Sequence, residues 1–364
     1  MGSKRKRSGK EATAPAGAAT KKAKKDQATA AAAAPTKPSL EKKPFVEAPT
    51  GDERRREASL YELLGSEDEK DRIEAADCIV SSLLEGEGVS EPTLERHLER
   101  RLFRGLASGR NASRLGFSLV ITEILGQLYG EKALSESKYD GMSFRKVLSC
   151  LMDKTQAVGN IPGQEERDHF FGQLFGIECF VRSGVLFLDT SRWNQILDLL
   201  LNLGYKKIWL RSQCGWVILQ ALGQMKESEV EHTLTKLADG GLAKTPEGVA
   251  VWLSALQRFP KLKIKPWTNP LANKSLGDLT AVLKESFQSQ DMKSQAEKGG
   301  KNKQASWSAQ LHYVWDIILA YFTQQDSSDA DSFESFWSRV VDGTFPLSQV
   351  DAFQSANFYR RAVL

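Results

Sequence analysis

From about Ser59 to about residue 340, apolar side chains return at the interval of an α-helix, and no sustained stretch alternates with the two-residue rhythm of a strand. Phe117, Ile121, Ile124, Leu125 and Leu128 fall on one helical stripe. Trp193, Ile196, Leu197 and Leu200 repeat it, and Trp307, Leu311, Val314, Trp315, Ile318 and Phe322 carry it over further turns. Helices are also expected at 68–85, 91–107, 143–156, 166–182, 205–223, 227–238, 247–258 and 275–288. The breaks between them carry helix punctuation. Ser90 with Glu91-Pro92, and Thr245 with Pro246-Glu247, read as starts. Ser108-Gly109 reads as a stop. The short run from Gly184 to Leu188 reads as a helix end and turn rather than a strand.

Roughly a dozen helices in series point to an all-α fold. Pairs of them recur at roughly 40 residues, the period of HEAT and armadillo arrays. The expectation is therefore a HEAT/armadillo-like α-solenoid. A compact helical bundle is the alternative, disfavoured because so many helices rarely close around one core. The expected domains are a disordered basic tail at 1–56, a helical-repeat body at 57–345, and a poorly matching end at 346–364. Within the body, 259–270 contains three prolines and reads as an extended connector, and 288–306 reads as a polar surface insertion.

Charge separates the tail from the body. Residues 1–50 hold twelve Lys/Arg against four Asp/Glu, a net +8, whereas the other 314 hold 38 against 42, a net −4. The tail is rich in Lys, Ala, Thr and Pro and buries too little apolar surface to offset the entropy of ordering. Its two basic clusters are Lys4, Arg5, Lys6 and Arg7, then Lys21, Lys22, Lys24 and Lys25. Such blocks suit a nuclear import receptor and also phosphate backbones, where each neutralised phosphate releases counterions. They are the expected residues for nuclear localisation and nucleic-acid contact. Arg101, Arg104, Arg110 and Arg114 form a candidate basic face, weighed against a structural role as helix-end arginines. Arg258, Lys261, Lys263 and Lys265 interleave with Phe259 and Trp267, a pattern seen in single-strand binding. The preferred reading there is a solvated linker whose aromatics anchor it to the core.

The remaining chemistry is sparse. Cys78, Cys150, Cys179 and Cys214 are far apart and form no C-x-x-C pair, so reduced thiols within helices are expected. His97, His169, His232 and His312 stand alone, without ligand-like spacing. Asp329 and Asp331 flank Ala330 as a carboxylate pair that reads as a flexible acidic loop. The sequence has no phosphate-binding glycine loop, dinucleotide fingerprint or nucleophile elbow. No apolar run approaches the ~18 residues of a membrane span. The expectation is a non-enzyme with no cofactor, no metal, no membrane and no small-molecule substrate.

Several blocks together resemble the DNA polymerase phi family, whose fungal members are called DNA polymerase V and whose animal members are called Myb-binding protein 1A. They begin with Leu106-Ala107-Ser108-Gly109-Arg110 and Arg114-Leu115-Gly116-Phe117. They continue with Phe171-Gly172-Gln173-Leu174-Phe175-Gly176, Arg182-Ser183-Gly184, Trp209-Leu210-Arg211 and Cys214-Gly215-Trp216-Val217-Ile218. Thr245-Pro246-Glu247-Gly248 and His312-Tyr313-Val314-Trp315 complete the series. The resemblance covers about residues 55–325. It implies a nucleolar protein of HEAT/armadillo-like repeats that associates with ribosomal DNA or pre-ribosomal RNA. It also implies roles in ribosomal RNA synthesis and ribosome assembly, with nucleolar and transcription proteins as partners. A DNA polymerase, as the family name suggests, and a nuclear transport adaptor are the rival functions. The sequence lacks the adjacent strands and the carboxylate motif of a polymerase palm. Members of the family run longer and carry acidic tracts near the C-terminus, so this chain is expected to be a fragment or a mis-spliced product.

Overall fold

The computed structural model describes residues 40–284, 312–324 and 330–344. By internal contacts the chain divides into Met1–Pro38 and Ser39–Leu364, and the described residues all lie in the second unit. All regular structure among the described residues is helical.

The helices are α1 (Gly51–Leu63), α2 (Glu69–Leu84), α3 (Glu91–His97), α4 (Phe103–Leu106), α5 (Asn111–Tyr129), α6 (Leu134–Ser137) and α7 (Phe144–Thr155). They continue with α8 (Gly163–Arg182), α9 (Thr190–Lys206), α10 (Arg211–Leu222), α11 (Glu227–Asp239) and α12 (Pro246–Arg258). Then come α13 (276–284), α14 (Val314–Thr323), α15 (Ala330–Phe336) and α16 (Asp342–Thr344). A π-helical turn, Leu98–Leu102, joins α3 to α4, and another, Trp337–Val341, joins α15 to α16.

Packing follows chain order. Along one row α2 lies on α5, α5 on α8, α8 on α10, α10 on α12 and α12 on α14. The flanking helices α4, α7, α9 and α11 each pack on members of that row near them in sequence. The predicted stripes lie in the core. Ile121, Ile124, Leu125 and Leu128 of α5 are wholly buried, as are Ile196, Leu197 and Leu200 of α9. Buried aromatics keep their polar atoms bonded, as low-dielectric packing requires. The Trp193 indole N–H donates to Thr233 Oγ1 (2.9 Å), and Tyr129 donates to the Met142 carbonyl (2.9 Å).

The caps follow the sequence in part. Thr245 Oγ1 accepts the Gly248 N–H (3.1 Å) with Pro246 in the first turn. Replacing Thr245 by Ala is expected to lower unfolding stability by about 1 kcal/mol, readable as a urea midpoint shift. The Ser90 hydroxyl instead meets Thr93 Oγ1 (2.9 Å), so α3 starts there without a side-chain cap on its backbone. The run from Gly184 is a turn, with Gly184 at φ +74° ahead of the 3₁₀ turn Leu186–Leu188.

Two boundaries differ from expectation. The helix expected at 205–223 is divided, because α9 runs on to Lys206 and a 3₁₀ turn, Ile208–Leu210, precedes α10. Helix begins at Gly51, and residues 40–50 lie as an extended strap on α1, α2 and α3, so the part of the expected tail from 40 to 56 belongs to the folded body. Phe45 anchors that strap at 5% exposure, stacked on the His97 ring with centroids 4.4 Å apart. Arg56 donates to the Glu41 and Lys43 carbonyls, Arg96 to the Val46 carbonyl, and the Phe45 N–H to the Ser82 carbonyl. The insertion expected at 288–306 lies outside the described residues.

Candidate nucleic-acid interface

The clusters Lys4, Arg5, Lys6, Arg7 and Lys21, Lys22, Lys24, Lys25 lie outside the described residues. The geometry therefore bears on the second candidate, the arginines of 101–114.

These four do not form one face. The chain from α3 to α4 buries Leu98, Leu102, Phe103 and Leu106 and turns Arg100, Arg101 and Arg104 outward. The π turn adds a residue to the helical repeat and so re-aims the arginines that follow it. Arg101 lies over the Tyr61 ring at 5.8 Å, which leaves its donors at the surface. Arg110 reaches in the other direction, donating to the Gly65 carbonyl (2.5 Å) and to Glu67 (3.1 Å), so it ties the α1–α2 corner to the start of α5.

Arg114 is a correction to the expected face, because it is interior at 9% exposure. Its guanidinium donates to the Ser108 carbonyl (2.5 Å) and to Asp168 (3.4 Å) on α8, and lies over the rings of Phe171 and Phe175. A charge held this way is a joint between α5 and α8, closed to a phosphate. The exposed set on this side is therefore Arg100, Arg101 and Arg104.

Beside this ridge a shallow cleft of about 470 Å³ separates the π turn from α7, lined by Glu99, Arg145, Lys146, Cys150, Asp153 and Lys154 among others. Lys146 pairs with Glu95 (2.8 Å) and Lys154 with Glu99 (3.3 Å), so most of its charge is neutralised across the helix pair. Cys150 is no nucleophile here. Burial and the adjacent Glu99 push its thiol up to about 12. Burial likewise lifts Cys179 to about 11 and, helped by Glu247, Cys214 to about 12. All four thiols are free. Maleimide at neutral pH is expected to label Cys150, Cys179 and Cys214 far more slowly in the native protein than in urea. Equal rates would contradict this placement.

Two charged clusters were not visible in the sequence. Under the strap, Arg96 grips Glu57 with both terminal nitrogens (3.2 and 3.0 Å), and Glu57 is 2% exposed. His97 beside it is held neutral, its pKa lowered to about 3 by burial and by the charges of Arg96 and Arg101. Its Nδ1 meets the Tyr61 hydroxyl at 2.7 Å. The second cluster joins α10, α12 and the start of α14. Glu247 lies 3.3 Å from Arg211 and 3.6 Å from His312. Burial opposes its charge, but His312 and Arg211 outweigh burial and hold its carboxyl down at about 2. Tyr313 donates to the Ser212 carbonyl (3.0 Å). A Cβ on Gly215 would stand 2.5 Å from the Tyr313 hydroxyl and 2.8 Å from Glu247 Cβ, so only glycine admits this approach.

Nearly every block behind the family resemblance sits at such a joint. Arg114 and Phe171 meet at α5–α8, Arg211 and Gly215 meet Glu247 at α10–α12, and His312-Tyr313 close on the same cluster. Gly116 lies where a side chain would strike the Leu64 carbonyl. The blocks are positions that set how helices cross. Of the acidic pair, Asp329 is outside the described residues and Asp331 is exposed at the start of α15. Among the described residues no three His, Cys, Asp or Glu side chains are placed to share a metal ion, and no helix is long and apolar enough to cross a membrane.

Helices packed in series, joined by buried ion pairs and edged with exposed arginines, define an all-α chain whose internal charge is structural. Residues 97–355 match the family described as DNA polymerase phi, and the chain belongs to that family. It is 31% identical over 299 residues to the rDNA transcriptional regulator pol5 of Schizosaccharomyces pombe, covering 78% of this chain and 28% of that protein. It is 25% identical over 336 residues to the rDNA transcriptional regulator POL5 of Saccharomyces cerevisiae, covering 79% and 32%. Myb-binding protein 1A of Rattus norvegicus is 25% identical over 228 residues, covering 59% and 16%. The chain thus spans about a third or less of the length of these relatives. No solved structure matches it.

Proposed function

We propose that this chain is part of a nuclear, nucleolar scaffold that regulates ribosomal DNA transcription and serves ribosome assembly. The observation that carries the reading is membership of a family in which two fungal relatives are named rDNA transcriptional regulators. The helical body would hold nucleolar and transcription proteins. The clusters at Lys4–Arg7 and Lys21–Lys25 would engage an import receptor and touch ribosomal DNA or its transcripts, with Arg101 and Arg104 adding charge from the body. Serial packing of α2, α5, α8, α10, α12 and α14, each on the next, supports a HEAT/armadillo-like solenoid as the form of that body. The animal relatives' name, Myb-binding protein 1A, supports a protein-binding role beside the nucleic-acid one.

Crosslinking in cells followed by sequencing of the recovered nucleic acid tests the reading. Enrichment of ribosomal DNA or pre-ribosomal RNA is expected, and recovery at the level of a tail-deleted control would contradict it. The family's description as a polymerase supplies a second reading. Metal-dependent primer extension by the purified chain, lost when Asp329 and Asp331 become Ala, would establish that reading instead.

A further inference from the structure

The connector between α12 and α13 has an inner and an outer side. Leu262 and Trp267 are buried at 4% and 2% exposure, and Ile264 packs on the same core. The Trp267 indole N–H donates to the Ala243 carbonyl (2.7 Å), and the Trp267 carbonyl accepts from the Trp252 indole (3.2 Å). These anchors fix the segment to α12 and to the loop that leads into it from α11. They also remove its tryptophan from any stacking role, while the alternation turns Lys261, Lys263 and Lys265 outward together.

Two further observations show that these charges are unneutralised. Among the described residues none of the three lysines has a carboxylate or hydrogen-bond partner. Between Glu247 and Asp278 the chain carries five Lys/Arg and no Asp/Glu, and Asp278 itself is taken by Lys244 at 2.7 Å. Of the five, Arg258 is bound to the Leu222 carbonyl at the end of α10, which leaves the lysines as the connector's cations without a partner among the described residues. Alternate residues of an extended chain stand about 7 Å apart, the order of a polynucleotide's phosphate repeat. Among the described residues the connector exposes no large apolar side chain of the kind a protein partner would need. Lysine supplies point charges, which suit phosphates without reading bases.

We propose that Lys261, Lys263 and Lys265 form a sequence-independent contact for the phosphodiester backbone of duplex DNA, borne by the folded body and separate from the N-terminal clusters. The contact rests on the nucleic-acid role proposed above and adds its place on the fold.

The test compares the full chain with its K261Q/K263Q/K265Q and K261R/K263R/K265R variants. Affinity for a fluorescent mixed-sequence DNA duplex is measured between 50 and 200 mM KCl, with thermal melting as a folding control. Three lost phosphate contacts flatten the log–log slope by about 2.7, so the wild type should lose about 40-fold more affinity than the Gln variant over that range. The Arg variant should keep the wild-type slope, and all three proteins should melt alike. An unchanged slope in the Gln variant overturns the contact. So does a lower slope that the Arg variant shares, or one that comes with a lowered melting temperature. If polyglutamate binding is lost in the Gln variant while duplex binding is kept, the partner is an acidic protein and the inference fails. If the wild type binds no duplex at any salt, the proposed nucleic-acid role fails first.

Discussion

Arg114→Gln is expected to destabilise the fold by about 3 kcal/mol, with no loss of surface charge that a ligand can reach. The change removes the cation facing Asp168 between α5 and α8 and leaves a carboxylate that is only 13% exposed. Breaking a buried pair by removing one partner costs about 3–5 kcal/mol, because the other charge stays desolvated. The low end applies, since the contact is 3.4 Å long and both side chains keep slight access to water. Loss of the guanidinium from over Phe171 and Phe175 adds to the effect. Urea unfolding measures the shift, and Asp168→Asn in the same chain should restore part of it. Arg101→Gln and Arg104→Gln should leave the midpoint within about 0.5 kcal/mol of wild type, because both side chains are exposed. A normal midpoint for Arg114→Gln with weakened DNA binding would reverse the assignment.

The second large effect lies at Glu247, and it carries a pH signature. Its carboxyl titrates at about 2, below the ordinary 4.5, because His312 and Arg211 together outweigh burial. A depressed carboxylate stabilises the fold fully above its unfolded pKa and loses that contribution as pH falls through the folded value. The difference amounts to about 3 kcal/mol at neutral pH. Glu247→Gln is therefore expected to lower stability by about that much from pH 7 down to about 5. Between pH 4.5 and 2 the gap should close, as the wild type loses the same interaction by protonation. Unfolding midpoints across that range check the claim, and a gap that does not vary with pH would refute the ionised buried cluster.

What the sequence made legible follows from the reach of each signal. The long helices were readable because α5, α7, α9 and α12 each bury a stripe that repeats within one segment. α1 was not, since Gly51–Leu63 is mostly charged and its burial rests on few residues such as Glu57, Leu60 and Tyr61. Its support comes from Arg96, which is 39 positions away from Glu57 and outside any local pattern. The strap was hidden for the same reason, with Phe45 the lone aromatic in a basic stretch and its ring partner on α3. Nor does the run Leu98-Glu99-Arg100-Arg101-Leu102 announce a π turn, because its apolar spacing also fits an α-helix.

The candidate site was legible as composition and only partly as geometry. Four arginines close in sequence invited one basic face. Whether an arginine faces water or a carboxylate depends on a partner such as Asp168, 54 positions from Arg114. The lysines of the connector show the converse. The sequence put aromatics and lysines side by side, and the structure sorts them, with Trp267 inward and Lys261, Lys263 and Lys265 outward.

On the proposed function, the folded body supplies structure and docking while basic charge supplies nucleic-acid contact. This division is tested most directly by salt titration of DNA binding, with the full chain set against a variant in which Lys4, Arg5, Lys6, Arg7, Lys21, Lys22, Lys24 and Lys25 are all Gln. Eight engaged cations give a log–log slope near −7 beyond what the body contributes, so the variant should lose most of the slope while unfolding at the same urea concentration. A wild-type affinity that hardly changes with salt, or a variant that binds as steeply as the wild type, would contradict it.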